Sequence, residues 1–447
     1  MTKSFTTPLY FILIVLLVAC GELSSSSTTS IEQKDGRAAS VTEQVQLPDT
    51  RTDLVMAYTH HRLDGNRVVA GHGDLPNLTP IDIALSVTPQ WIVAVPAPSG
   101  SRWVVIGNDG AVEAFLISDG AVIFDTVIPE QLPTGMPPIL IDSQRPSLLL
   151  PPSAEASQAT HPVLLPNSGR LAFIERNGDL IVRDDRDDTE VRLPVNALLD
   201  GRLLVDDQDR ILLLTDPTPE YAHGVLGDKL EAGGMTLVET QPQVRIAMQA
   251  WLPKGTVIEG ISPLWADMTG DDRRDIVVTL SNEQQGAWIA VFNEAGKQIA
   301  TGPAIGQAYR WRHQLAIAPF SQNGQPMLVD VLTPHLGGIV EFYQLMDDQL
   351  TIVGRQPGYT SHVIGSRNLD MALAGDFDGD NHIELLLPNQ ARTELGAIAY
   401  DEQGTEVVYA LPVAGKVMTN LAAVTLADGS IAVGVGHQDQ VLRIWHP

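Results

Sequence analysis

The C-terminal half of the chain repeats one unit of short apolar strands four times. In the third copy, residues 371–374 lead through a polar loop into residues 383–387, and residues 396–400 and 406–409 follow with a tight turn between them. The equivalent positions of the four copies, 52, 57 and 49 residues apart, are Ala266, Ala318, Gly375 and Val424. A period of this length with four strands per unit restricts the chain to folds in which similar sheets follow one another.

The repeat predicts an all-β protein with the architecture of a β-propeller. Four-stranded repeats of about 40–50 residues are typical of propeller blades, which close into a ring that protects their edges. No long apolar stripe of helical period follows the first 19 residues, and Gly (38) and Pro (30) are abundant. Earlier segments fit the unit more loosely and give about seven four-stranded blades, or eight if residues 138–152 belong to a further one. Two separate β-sandwiches are the alternative.

The fourth copy is incomplete, because the chain ends after its third strand at residues 441–445. An unpaired outer edge would invite association with other chains. We expect residues 53–58, near the N-terminus, to supply the missing strand and close the ring.

The single cysteine, Cys20, follows an apolar segment at residues 9–19 and precedes a serine-rich stretch. Lys3 gives the basic start of a signal peptide, and this apolar segment is shorter than the roughly 20 residues that a membrane-spanning helix needs. The pattern resembles the lipobox of bacterial lipoproteins. The resemblance implies cleavage before Cys20, a diacylglycerol group on its thiol, and a location in the cell envelope on the extracytoplasmic side.

This interpretation divides the chain into three parts. They are a signal peptide at 1–19, a lipidated flexible tether at 20–48 and a β-propeller at 49–447. The tether is predicted from its Ser, Thr, Gln and charged residues, which bury too little apolar surface to fold. An uncleaved anchor or an incidental cysteine is the alternative.

Composition excludes several kinds of chemistry. With one cysteine, the chain cannot form an intramolecular disulfide, a CxxC redox pair or a cysteine-rich zinc site. Its net charge of −26 argues against nucleic-acid binding and against electrostatic attraction to anionic lipid headgroups. The acidic balance suits calcium, cationic partners or solubility.

The loop at residues 376–384 concentrates carboxylates. Positions 1, 3, 5 and 9 of these nine residues are Asp376, Asp378, Asp380 and Glu384. Clustered hard oxygens are the ligands that calcium prefers. An EF-hand would need Gly at position 6 and Glu at position 12, where this chain has Asn381 and Leu387.

The loop instead resembles the calcium-binding hairpin loops of FG-GAP or VCBS repeats, which are found in integrin α propellers and bacterial surface proteins. The resemblance covers residues 255–447 well and the rest loosely. It implies Ca²⁺ bound by the four carboxylates and by the backbone carbonyl of His382. Glu384 departs from the more usual final Asp.

An equivalent loop occurs two repeats earlier. Its corresponding positions are Asp267, Thr269, Asp271 and Asp275. Thr269 replaces a carboxylate and Arg273 and Arg274 add positive charge, so we expect weaker metal binding. For both loops the alternative is an ordinary solvated hairpin turn, because Asp, Gly and Asn all suit turn conformations.

The predicted function is that of a binding or interaction module: a membrane-anchored, calcium-stabilised monomeric propeller with a protein or carbohydrate ligand. No catalytic residue is assigned, since the chain lacks GxSxG, HExxH and Walker motifs. An enzyme built on the propeller, acting on a polysaccharide or a quinone-dependent substrate, is one alternative, and an envelope assembly factor is another.

Overall fold

The computed structural model describes residues 55–57, 68–142 and 146–447. The predicted signal peptide, Cys20 and the tether lie outside these residues. The described chain is all-β, as the repeat predicts, and its only helical element is the 3₁₀ turn Leu75–Asn77. No helix in the described part is long and apolar enough to cross a membrane.

Short strands make up the N-terminal half of the described chain. They are β1 Val55–Ala57, β2 Val68–Val69, β3 Ile81–Ala84, β4 Pro89–Ala97, β5 Gly100–Gly107, β6 Val112–Ser118, β7 Ala121–Asp125, β8 Leu140–Asp142, β9 Ser147–Leu148, β10 Val163–Leu164, β11 Leu171–Ile174, β12 Asp179–Asp184, β13 Thr189–Pro194, β14 Leu204–Val205, β15 Ile211–Thr218, β16 Glu231–Glu239 and β17 Arg245–Trp251.

The C-terminal half continues in the same way. Its strands are β18 Thr256–Ile258, β19 Leu264–Ala266, β20 Asp275–Asn282, β21 Gly286–Asn293, β22 Gln298–Thr301, β23 Arg312–Ala318, β24 Met327–Leu332, β25 Ile339–Met346, β26 Gln349–Pro357, β27 Leu373–Gly375, β28 Glu384–Pro388, β29 Glu394–Asp401, β30 Gly404–Pro412, β31 Val417–Thr425, β32 Ile431–His437 and β33 Val441–Trp445.

Most strands pair antiparallel with their sequence neighbours. Three four-stranded sheets have the orders β4-β5-β6-β7, β10-β11-β12-β13 and β3-β33-β32-β31, and β27 to β30 form a five-stranded sheet with β2, which pairs parallel to β27. A 13-stranded sheet contains β14 to β26. Within it, three successive groups of antiparallel strands are joined by the single pairs Ala232↔Ile258 and Thr301↔Gln349.

Turn chemistry fixes these hairpins locally. Between β6 and β7 the two connecting residues, Asp119 and Gly120, both have positive φ, at 50° and 74°. This is the backbone of a type I′ turn, whose twist matches that of the flanking strands.

The strand that completes the last repeat is not the expected one. β3 pairs antiparallel with β33, from Ile81↔Ile444 to Ala84↔Val441. Residues 55–57 of the predicted closing segment pair instead with β8, in a three-stranded sheet with β9. The expectation that residues 53–58 complete the last sheet is therefore wrong. Four residues separate β3 from β4, so the strand that completes this sheet leads directly into the sheet of β4 to β7.

The core consists of apolar clusters between successive sheets. One cluster joins the sheet of β3 and β31–β33 to strands β4–β6. A second joins β4–β6 to β8 and β9. A third joins β8 to β10–β12 and to β14–β15. Two further clusters join β14–β16 to β20–β21 and β19–β22 to β23–β25. The last two join β23–β25 to β27–β29 and β27–β30 to β31–β33. The succession begins and ends at the sheet that contains β3.

Candidate metal centre

The acidic loop predicted from the sequence connects β27 to β28. One carboxylate oxygen from each of Asp376, Asp378, Asp380 and Glu384 lies within 4.8 Å of the others. Asp376 and Glu384, at the two strand ends, are buried, whereas Asp380 at the tip is exposed. The hairpin therefore brings together the four carboxylates that the sequence singled out.

Backbone amides of the same loop hold these carboxylates in place. Asp376 accepts hydrogen bonds from Gly379 N at 2.7 Å and from Asn381 N at 3.1 Å, and Glu384 Oε2 accepts one from Phe377 N at 2.8 Å. Gly379 and Asn381 have φ of 84° and 66°. This left-handed backbone, which Gly and Asn tolerate best, lets the chain fold back onto Asp376.

The loop carries more negative charge than its hydrogen bonds compensate. Burial, and then the neighbouring carboxylates, raise the pKa of Glu384 to about 8, and burial and Asp380 raise the pKa of Asp378. Burial also acts to raise the pKa of Asp380, but hydrogen bonds from the amide and ring of His382 hold it below its ordinary value. Mutual repulsion of this kind favours a bound cation.

Tyr409 in β30 is a member of this site that the sequence did not indicate. Its hydroxyl is buried without a hydrogen-bond partner among the described residues. Burial raises the pKa of Tyr409 well above its usual range, and all four carboxylates of the loop raise it further. Tyr409 follows Glu384 by 25 residues and belongs to the outer strand of the sheet, so no local motif could reveal it.

A segment from near the N-terminus supports the loop through hydrogen bonds to its backbone. Gly73 N donates to Asp376 O at 2.8 Å, and Leu75 N donates to Phe377 O at 3.0 Å. A Cβ on Gly73 would lie 2.4 Å from the Phe377 carbonyl oxygen, so the two backbones meet where only glycine fits. The side chains of Leu75 and Phe377 are both fully buried in the same apolar cluster.

The second predicted loop connects β19 to β20 and has the same hydrogen-bond framework. Asp267 accepts from Gly270 N at 2.6 Å and from Asp272 N at 2.8 Å, and Asp275 Oδ2 accepts from Met268 N at 3.1 Å. These bonds correspond one for one to those of Asp376 and Glu384. The two loops are thus equivalent in backbone conformation as well as in sequence.

The second loop differs in its side chains. Thr269 Oγ1, which stands where the first loop has the Asp378 carboxylate, donates to Asp267 at 3.4 Å. Asp271 accepts a hydrogen bond from Arg273 N, as Asp380 does from His382 N. The carboxylates of Asp267, Asp271 and Asp275 do not form a convergent group of the kind found in the first loop, which is the only such group in the described part of the chain. Arg274 turns away, pairing with Asp207 and lying over the Trp265 ring.

The donor set of the first loop fits a hard cation. Carboxylate oxygens suit calcium or magnesium, whereas borderline metals prefer imidazole or thiolate ligands. Asp376, Asp378, Asp380 and Glu384 would hold the ion. The ion would supply a positive charge that offsets their repulsion.

Comparisons with known proteins add little to this geometry. No protein-family model matches the chain, and no curated protein matches it. Similar solved structures include a chain in a crystal structure of the mitotic checkpoint complex, at 11% sequence identity and a TM-score of 0.41, covering 83% of this chain and 95% of that one. A likeness at this level carries no conclusion about function.

Proposed function

We propose that this chain is a calcium-stabilised β-propeller that works as a binding module and is held at the extracytoplasmic face of a membrane by a lipid on Cys20. Support for the metal comes from one observation above all, the convergence of four carboxylates within 4.8 Å in the 376–384 loop. We assign the site to calcium because several carboxylate oxygens within one loop are the usual ligands of this ion. The His382 carbonyl is the further ligand suggested by the resemblance to FG-GAP loops.

The ring is inferred from how the sheets succeed one another. There are eight sheets when the three-stranded sheet and each of the three parts of the 13-stranded sheet are counted as one sheet. Apolar clusters link each of these sheets to the next and the last to the first. A closed ring leaves few exposed edges. We propose eight blades, of which the one containing β8 and β9 is rudimentary.

A structural role for the ion follows from the hydrogen bonds of the loop. Each carboxylate accepts a bond from a loop amide, including Asp378 from Asp380 N at 3.3 Å and Asp380 from His382 N at 2.8 Å. These bonds fix the carboxylates within the hairpin, so an ion bound by them would hold the hairpin together. We therefore assign the ion to stability and the binding function to the surface that the ring presents.

Calcium titration calorimetry of the mature chain tests the metal site. We expect one strong site in the wild type, lost in Asp378→Asn, and a second site in Thr269→Asp, which supplies the missing carboxylate of the second loop. Ser321→Asp is the matched control, because Ser321 occupies the same position in the intervening repeat, whose loop lacks the other carboxylates. Wild-type binding that Asp378→Asn leaves unchanged would contradict the assignment.

Metabolic labelling with a fatty acid tests the anchor separately. The wild-type protein should be labelled and should sediment with membranes. The Cys20→Ser variant should not be labelled and should not sediment with membranes. Labelling that persists in Cys20→Ser would contradict lipidation of this residue.

A further inference from the structure

The outer strand β7 of the sheet β4-β5-β6-β7 is an apolar sheet edge. It pairs with β6 from Ala114↔Asp125 to Ser118↔Ala121, and no strand of the described chain pairs with its other side. At alternate residues of an edge strand, the backbone N–H and C=O groups point away from the sheet and can bind a further strand. β7 therefore presents a row of backbone groups along which another extended segment can add.

Three consecutive apolar side chains of β7 are exposed. Val122 is 39% exposed, Ile123 is 50% exposed and Phe124 is 81% exposed. Because side chains alternate along a strand, Val122 and Phe124 project from one face of the sheet and Ile123 from the other. Phe124 lies against the buried Phe115, with ring centroids 5.3 Å apart. An added strand would thus find apolar neighbours on both of its faces.

The small size of the next sheet accounts for the exposure of Ile123. Ile123 lies opposite Leu116 on β6, and Ala114, on the same face of β6, belongs to the cluster that joins β4–β6 to β8 and β9. The strands β8 and β9 are three and two residues long. Leu116 is partly exposed and Ile123 is half-exposed beside this short sheet.

Other outer strands are protected in the usual way. Charged side chains on an edge strand discourage pairing with another chain. The outer strands β13, β17, β26 and β30 carry exposed charges at Arg192, Arg245, Arg355 and Glu406. Residues 121–124 of β7 carry none. The protection found on those four strands is therefore missing from β7.

The chain around β7 is acidic. Residues 103–144 contain six acidic residues and no Lys, Arg or His. Asp125 is paired with Arg102 at 2.6 Å, but Asp119, in the turn before β7, and Glu130, after its end, are exposed and have no ion-pair partner among the described residues. Complementary charge in a partner would come from Lys or Arg on either side of its apolar residues.

The same charge argues against a second copy of the chain as the occupant of this edge. A second copy would bring its own acidic residues to β7 together with a net charge of −26. Repulsion between two such chains opposes their association. A basic segment of another protein is attracted instead.

We propose that β7 binds an extended, basic segment of a partner protein, which adds to the sheet as a fifth strand. Backbone hydrogen bonds supply affinity in this mode of recognition, and side-chain contacts supply specificity. Val122, Ile123 and Phe124 select apolar residues, and Asp119 and Glu130 select flanking Lys or Arg. The inference rests on the proposed binding function and gives it a class of partner. It requires neither the calcium ion nor the lipid anchor.

Fluorescence anisotropy of a labelled peptide with the mature chain tests the proposal. The probe is a short run of alternating valine and threonine with lysines at both ends, and a second probe has glutamates in place of the lysines. The lysine probe should bind, and the glutamate probe should bind more weakly, with a difference that narrows as salt is added. Methylation of the backbone amides of the lysine probe should abolish binding, because strand addition needs these hydrogen bonds.

Ile123→Lys should lower the affinity for the lysine probe by about tenfold, because it replaces an apolar contact with a like charge. Val191→Lys is the matched control, since Val191 is exposed on the outer strand β13, which already carries charges. It should bind the probe like the wild type. Melting temperatures and calcium titrations that match the wild type will show that both variants fold and keep the metal site.

The proposal is overturned if the wild type fails to bind the lysine probe below millimolar concentration or binds both probes equally. It is also overturned if Ile123→Lys binds the lysine probe as tightly as the wild type does. A dimer in sedimentation that Ile123→Lys dissociates would overturn it too, because a second copy would then cover β7. Calcium titration of the same samples distinguishes each of these outcomes from a failure of the metal site.

Discussion

The amide of Phe377 donates a hydrogen bond of 2.8 Å to Glu384 Oε2 and so ties the start of the acidic loop to its end. Glu384 is almost fully buried, and its carboxylate is one of the four that converge. The same contact in the second loop joins Met268 to Asp275. A conformation shared by two loops with different charge indicates that the backbone shape is encoded by turn residues, and that metal affinity is set separately by the carboxylates.

Gly73→Ala should weaken calcium binding although Gly73 lies outside the acidic loop. The added Cβ would meet the Phe377 carbonyl oxygen at 2.4 Å and push the loop away from its support. We expect a loss of about 1–3 kcal/mol in unfolding free energy and a lower calcium affinity, measured by urea denaturation and calorimetry. In the control Gly260→Ala, the new Cβ has nothing within 4 Å. Equal behaviour of the two variants would argue against this support.

Ile83→Ala should destabilise the fold by about 2–5 kcal/mol, as expected for a truncated core isoleucine. Ile83 is buried on β3, the strand that pairs with β33, in the cluster that joins this sheet to β4–β6. Val122→Ala on the exposed strand β7 should change stability by less than about 0.5 kcal/mol. Urea denaturation of both variants measures the difference. A loss for Ile83→Ala as small as that for Val122→Ala would mean that β3 does not complete the sheet.

Glu231→Gln should flatten the dependence of stability on pH. Burial, and then Glu259, Asp228 and Asp200, raise the pKa of Glu231 to about 9 from an ordinary value of 4.5. The folded protein therefore keeps a proton that the unfolded chain releases, and stability falls as pH rises between these values, by up to about 1.4 kcal/mol per pH unit.

Urea denaturation at several pH values between 5 and 9 measures this effect. Wild type should lose stability towards pH 9 more steeply than Glu231→Gln. Glu406→Gln, at an exposed position, should follow the wild type. Parallel curves for wild type and Glu231→Gln would show that Glu231 ionises normally.

Local patterns predicted much of the fold. The repeat unit at residues 371–409 is present as β27 to β30. The strand β16 was missed, since Gly233 and Gly234 interrupt its apolar pattern and a long loop precedes it. The pairing of β3 with β33 was missed because it joins opposite ends of the chain, where no local pattern links the two strands.

In the candidate sites, too, residues close together in the sequence could be predicted and residues brought together by the fold could not. The four carboxylates of the first loop lie within nine residues, so spacing alone revealed them. Gly73 and Tyr409 reach that loop from distant positions in the sequence. Residues that meet only through tertiary structure leave no periodic signal in the sequence.

The central claim is that a cation in the 376–384 loop stabilises the folded ring, and the melting temperature in calcium and in chelator at matched ionic strength tests it most directly. At a free calcium concentration 100 times the dissociation constant, binding to the folded state alone contributes about 2.7 kcal/mol. In a chain of this length that raises the melting temperature by about 2–4 °C at most. We predict this rise for the wild type and its near-complete loss in Asp378→Ala. Identical melting temperatures of the wild type in calcium and in chelator would contradict the account.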